Sequence, residues 1–164
     1  MTPPASQQDH DHNHCVESAL KLAQTLCQQR GAQLTPLRQK ILELIWANHR
    51  AVKAYDLLEQ IKPFNDSAKP ATVYRSLDFL LAQGLVHRIE SLNAYIGCNH
   101  AERPHDIILL ICHHCQQIEE RHAAGVMLSL QQELTDAGFT PSGKTMEIHG
   151  TCRQCAPEKD QAME

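Results

Sequence analysis

Two Cys-x-x-Cys pairs, Cys112-His113-His114-Cys115 and Cys152-Arg153-Gln154-Cys155, stand 36 residues apart and constrain the fold more than any other feature of the 164-residue chain. A two-residue gap lets both sulfurs of a pair reach one ion at about 2.3 Å, and two such pairs complete the tetrahedral thiolate set of a structural Zn2+. The segment between them must therefore return the second pair to the first. Its pattern allows this: a strand over 105–112, a weakly alternating strand over 116–122, a helix over 125–137 and an extended stretch over 139–149, so that each pair stands where a strand ends. A unit of about 60 residues is too small for a generous core of its own and needs a metal, a partner subunit or both. A redox dithiol would need a strand-helix-strand setting at its Cys-x-x-Cys, which neither pair has.

The seven cysteines and eleven histidines belong to a chain whose first 14 residues lack the basic start and apolar stretch of a secretory signal. That predicts a cytoplasmic protein, where metal ligation is favoured over a disulfide framework. No window approaches the roughly 18 consecutive apolar residues of a membrane helix, so no membrane partner is expected. With 42% hydrophobic and 21% charged residues the chain is globular rather than disordered, collagen-like or a coiled-coil rod. Its charge is uneven: 10 basic against 9 acidic residues over 1–90, and 5 against 10 over 91–164. The split suggests two units with different partners. A net charge of +1 on the first is no polyanion-binding surface by itself, so any nucleic-acid reading must come from motifs.

Residues 1–15 read as a mobile polar tail in which His10, His12, His14 and Cys15 are available to capture loose metal. A helical stripe runs over 16–30 and closes at Gly31, with Cys27 on its apolar side. Thr35-Pro36 offers an N-cap and a proline at the first position of a second helix. A short third helix spans 54–61. Pro70 opens a fourth with Val73, Leu77, Leu80 and Leu81 on its core side and Gly84 at its end, and two short runs, 85–90 and 94–98, form a hairpin. Helices around a helix-turn-helix followed by a hairpin make a winged-helix domain. The expected fold class is α+β: a tail over 1–15, a winged-helix DNA-binding domain over 16–98, a small α/β metal-binding domain with a four-cysteine zinc site over 99–156, and a tail over 157–164.

This order of parts resembles the ferric uptake regulator family of bacterial metal-dependent repressors over about residues 16–156. The elements that carry the resemblance are Leu34-Thr35-Pro36-Leu37-Arg38, Ala71-Thr72-Val73-Tyr74-Arg75-Ser76-Leu77, Leu85-Val86-His87, His105-Asp106 and the two cysteine pairs. The resemblance implies homodimers, with 99–156 as the dimerisation domain, that bind palindromic double-stranded DNA operators when loaded with metal. At the positions matching the family's regulatory site stand His87, Cys98, His105 and Glu120. Two imidazoles, a thiolate and a carboxylate suit borderline-soft Zn2+, whereas the iron and manganese sites of the family lean on imidazole and carboxylate oxygen. Only Pro104-His105-Asp106-Ile107 stands where iron sensors carry a His-His-Asp-His-like cluster, and Lys144 falls where they often have a further imidazole. The chain is therefore most similar to the zinc-sensing members, with two Zn2+ per protomer expected. Asp106, His122 and His149 are left over as candidates for a weaker site.

In a winged helix the exposed side of the recognition helix enters the major groove. Thr72, Tyr74, Arg75 and Ser76 are its outward candidates, and Arg75 can bond a guanine edge with both arms of its guanidinium. Tyr55 is a further candidate that the resemblance also favours. Lys69, Arg38, Lys53 and Arg88 would anchor phosphates. Because His87 belongs to the first unit, His105 and Glu120 to the second, and Cys98 lies between, zinc would act as corepressor by restricting a hinge between them. The alternatives are an iron- or peroxide-responsive repressor of the same family and a zinc-storage or chaperone protein. An enzyme is not expected, because the ligand sets look complete and no nucleophile motif is present.

Overall fold

The apolar stripes become helices in the computed structural model, which describes residues 12–47, 50–102, 106–141 and 145–156. The chain divides into two compact units, Met1–Glu102 and Arg103–Glu164.

In the first unit, α1 (His12–Gln29) buries Ala23, Leu26 and Cys27. It starts within the stretch read as a tail, so His12, His14 and Cys15 stand on its first turn, while residues 1–11 lie outside the described residues. A first helical turn needs no apolar stripe, which is why periodicity does not reveal it. Gly31, with φ +64°, ends the turn that follows. α2 (Pro36–Trp46) begins as its residues dictate: Pro36 occupies the first turn, and the Thr35 hydroxyl accepts from the Arg38 N–H at 3.4 Å. Ile41, Leu42 and Ile45 are its buried face. α3 (Ala54–Ile61) contributes Leu57 and Ile61, and α4 (Pro70–Ala82) contributes Val73, Leu77 and Leu80, to the same core. Each such side chain contributes about 1.5–3 kcal/mol when fully buried.

The wing follows at once. β1 (Val86–Ile89) and β2 (Ala94–Gly97) pair antiparallel, with His87 opposite Ile96, and Asn93 takes the left-handed φ of +47° in the turn, as asparagine tolerates. Val52 joins the hairpin through a two-bond bridge to Tyr95, each N–H donating to the other's carbonyl at 2.8 Å. Gly97 has a packing reason rather than a conformational one. A Cβ there would collide with the Trp46 indole, which lies against the strand backbone. Gly97→Ala is expected to destabilise the first unit by about 1–3 kcal/mol through overpacking, read as a lowered denaturant midpoint; an unchanged midpoint would show that Trp46 moves aside freely.

In the second unit β3 (Ile107–Cys112) is the centre of a three-stranded sheet ordered β4-β3-β5, antiparallel to β4 (Ile118–His122) and parallel to β5 (Thr145–Gly150). The parallel pairing requires a crossover, which β4 and α5 (Ala124–Asp136) provide. β5 is shorter than the extended stretch expected over 139–149. Gly138, at φ +66°, turns the chain out of α5, and residues 139–141 join no strand. Five of the six residues of β3 are buried, whereas α5 buries none. Leu128 is 67% exposed, and Val126, Phe139 and Ile148 are exposed with it. The shortage of core expected for so small a unit is therefore visible in its structure. No described helix is long and apolar enough to cross a membrane.

Candidate functional site

The four cysteines of the two pairs converge in the second unit. β3 ends at Cys112, paired in register with Gly150 of β5, so the parallel pairing carries the loop with Cys152 and Cys155 to the loop with Cys115. Two tight turns shape them. The Gln116 N–H donates to the Cys112 carbonyl at 2.9 Å, with Gln116 itself at φ +60°, and the Cys155 N–H donates to the Cys152 carbonyl at 3.0 Å. All four sulfurs lie within 4.8 Å of one another, and Cys115 Sγ is 3.7 Å from Cys152 Sγ. The edge of a tetrahedron with about 2.3 Å metal–sulfur bonds is about 3.8 Å, so the donor set fits zinc.

The electrostatics favour the same conclusion. Backbone N–H groups of Cys115 and Cys152 aimed at its sulfur pull the Cys112 thiol down to about 5 against the opposing effect of burial; the Cys152 N–H donates to Sγ at 3.4 Å. Hydrogen bonding to the sulfurs of Cys152 and Cys115, with burial, pushes Cys155 up to about 12. Without a cation the cluster thus pairs a readily ionised Cys112 with a Cys155 that holds its proton; a divalent ion lets all four ionise. All seven cysteines are free thiols.

His87 and Cys98 come together in the first unit. His87 faces Ile96 across the hairpin, and Cys98, two residues further on, shares that face, held by its N–H to the Leu85 carbonyl at 3.0 Å. A ring nitrogen of His87 and the Cys98 sulfur lie within 4.8 Å. Cys98 is buried and His87 half-buried. Glu120 is a half-buried residue on β4 of the second unit, opposite Leu109. His105 lies outside the described residues. Among the described residues, Asp106, His122 and His149 join no group of three that could hold a metal, and neither do His14 and Cys15; His149 instead lies 3.8 Å from the Glu147 carboxylate.

On α4, burial of Val73, Ser76, Leu77 and Leu80 leaves Tyr74, Arg75 and Asp78 facing outward. Ser76 is a correction to the outward set: its hydroxyl donates back to the Thr72 carbonyl at 3.0 Å from within the core. Thr72 is half-buried, its hydroxyl accepting from the Lys69 N–H at 3.5 Å, which closes the first turn of the helix. Lys69 and Lys53 are exposed. Tyr55 is 69% and Tyr74 47% exposed, so neither ring is held in the core. Arg38, expected as a phosphate anchor, lays its guanidinium 3.7 Å over the Phe79 ring and donates to the Gln33 carbonyl at 2.6 Å, tying α2 to α4. Arg88 lies 3.3 Å from Glu90. A further arginine that periodicity does not single out, Arg30, donates to the carbonyls of Gln83 at 2.6 Å and Ala101 at 3.3 Å.

The ferric uptake regulator family model matches residues 29–149. The zinc uptake regulation protein of Escherichia coli (strain K12) is 39% identical over 141 residues, spanning 85% of this chain and 82% of that protein. A solved zinc uptake regulator complexed with zinc and DNA matches with a TM-score of 0.80 at 38% identity, over 85% of this chain and 94% of the other. Holo XcZur matches with a TM-score of 0.76 at 38% identity, over 84% and 96%.

Proposed function

The chain belongs to the ferric uptake regulator family, and from that premise we propose that it is a cytoplasmic, zinc-responsive transcriptional repressor that binds palindromic operators as a zinc-loaded homodimer and controls zinc uptake genes. The observation that carries zinc rather than iron is the Cys98 thiol beside the His87 imidazole on one face of the hairpin that follows α4. A sulfur ligand suits Zn2+, and an imidazole-carboxylate site without one is the arrangement that would favour iron.

Two zinc ions per protomer follow. Cys112, Cys115, Cys152 and Cys155 hold one, and the closed set of four sulfurs supplies structural cohesion with no open position for catalysis, which fits a regulator rather than an enzyme. His87, Cys98, His105 and Glu120 hold the other. Zinc bound by this set acts as the corepressor. The two recognition helices of a dimer then favour the spacing of two operator half-sites, and binding shifts an existing equilibrium. The apolar residues left open on and after α5, Val126, Leu128 and Phe139, support a homodimer formed through the second unit.

Arg75, Tyr74, Tyr55 and Thr72 are assigned to the DNA, with Lys69 on phosphate. Arg75→Ala is expected to cost about 1–3 kcal/mol on the operator and much less on random DNA. Lys69→Ala weakens both and lowers the salt slope by about one. Equal losses on the two DNAs for Arg75→Ala would make it a phosphate contact. The proposal as a whole is tested by a mobility-shift assay on an operator palindrome with zinc, with ferrous iron and with a chelator. Retardation with zinc alone supports it. Retardation only with iron would make the chain an iron sensor, and none under any condition would leave zinc storage as the better reading.

A further inference from the structure

We propose that Arg30 is a positioning residue that couples the Cys98 segment to the recognition helix. The inference rests on the reading of zinc as corepressor and concerns how occupancy at Cys98 is felt by α4. Arg30 follows the last residue of α1 and divides its guanidinium between two carbonyls: Nη1 donates to Gln83, the C-cap residue of α4, at 2.6 Å, and Nη2 to Ala101 at 3.3 Å. The first contact places a cation at the negative end of the recognition helix and satisfies one of its terminal carbonyls. The second grips the chain three residues after Cys98, at a buried alanine. Cys98 itself is fastened to Leu85, two residues beyond Gln83, by its N–H at 3.0 Å. The segment between the end of α4 and the start of the wing is thus held to the Cys98 segment by a backbone bond and by one forked side chain. Of the two, only the side chain reaches the helix terminus itself. A guanidinium spans two acceptors in a fixed plane, whereas an ammonium on a flexible stem serves them as a point charge.

The consequence is energetic coupling rather than stability alone. If ligation at Cys98 orders the segment through Ala101, Arg30 transmits that order to Gln83 and the end of α4. Coupling is reciprocal, so operator binding must also tighten zinc by the same factor. The test measures operator affinity of the full-length dimer at high buffered zinc and at zinc low enough to empty only the regulatory site, for the parent, Arg30→Ala and Arg30→Lys. The expected result is that Arg30→Ala lowers the ratio of the two affinities by about tenfold, with the zinc-poor affinity and the structural zinc unchanged, and that Arg30→Lys recovers only part of the ratio. The factor by which operator binding tightens zinc should be smaller than in the parent by the same amount. A merely structural role lowers the melting temperature and both affinities while leaving their ratio at the parent value, and that outcome overturns the proposal. Should Arg30→Ala not fold, the ratio for Arg30→Lys decides: a parent-like value overturns the coupling role. A parent protein with no zinc dependence at all would overturn the corepressor reading, and the coupling role with it.

Discussion

Cys112→Ser or Cys155→Ser is expected to unfold the second unit and abolish dimers. That unit buries little. Among the described residues its buried side chains are Ile107, Ile108, Leu109, Ile111 and Cys112, all on β3, and α5 contributes none. A structural zinc contributes on the order of 10 kcal/mol of folding free energy, comparable to the whole net stability of a small domain. Replacing one thiolate by a hydroxyl leaves the other three sulfurs crowded around an incomplete set. Size exclusion, zinc content and thermal melting read the result. A mutant that remains dimeric with an unchanged melting temperature would show that the four-sulfur cluster does not hold the unit together.

Cys98→Ser is expected to leave the fold, the dimer and the structural zinc intact while removing the second zinc. Serine preserves size at a buried position yet is a poor ligand for zinc, so the change separates coordination from packing. Operator affinity should fall to its zinc-free value, a loss of about 5–150-fold if the coupling lies in the usual allosteric range. His87→Ala should behave likewise, because the wing then loses its imidazole beside Cys98. Glu120→Ala should be milder if water takes the fourth position. Binding isotherms at fixed free zinc measure all three. A Cys98→Ser protein that binds the operator and two zinc ions per protomer like the parent would make Cys98 a core residue and remove the main reason for preferring zinc to iron.

What the sequence made legible was local. The 3.6-residue stripes and the Thr35-Pro36 start located α2, α3 and α4 with little error, because capping, proline placement and apolar spacing act within one or two turns. The convergence of the four cysteines was legible for the same reason: a two-residue gap is a statement about reach, and strand ends carried both pairs to one place. Features made by residues distant in sequence were not. Gly97 against Trp46, Val52 against Tyr95, Arg38 over Phe79 and Arg30 across to Gln83 and Ala101 depend on how elements pack, and no periodicity announces them. Ser76 was misread because its small hydroxyl looks solvent-seeking. Yet it stands three residues after Val73 and four before Leu80, on the same face, with a carbonyl of its own helix as partner. The polar first turn of α1 escaped because a helix start needs no apolar residue.

The central claim is that zinc, bound at a site distinct from the four cysteines, switches operator binding. Titrating operator affinity against buffered free zinc tests it directly, with the zinc content of the protein determined at each point. The account predicts one zinc per protomer and weak binding at the low end, then a single saturable rise in operator affinity that coincides with uptake of the second zinc. Operator affinity that stays flat while the second zinc binds, or that rises with ferrous iron in its place, would contradict it.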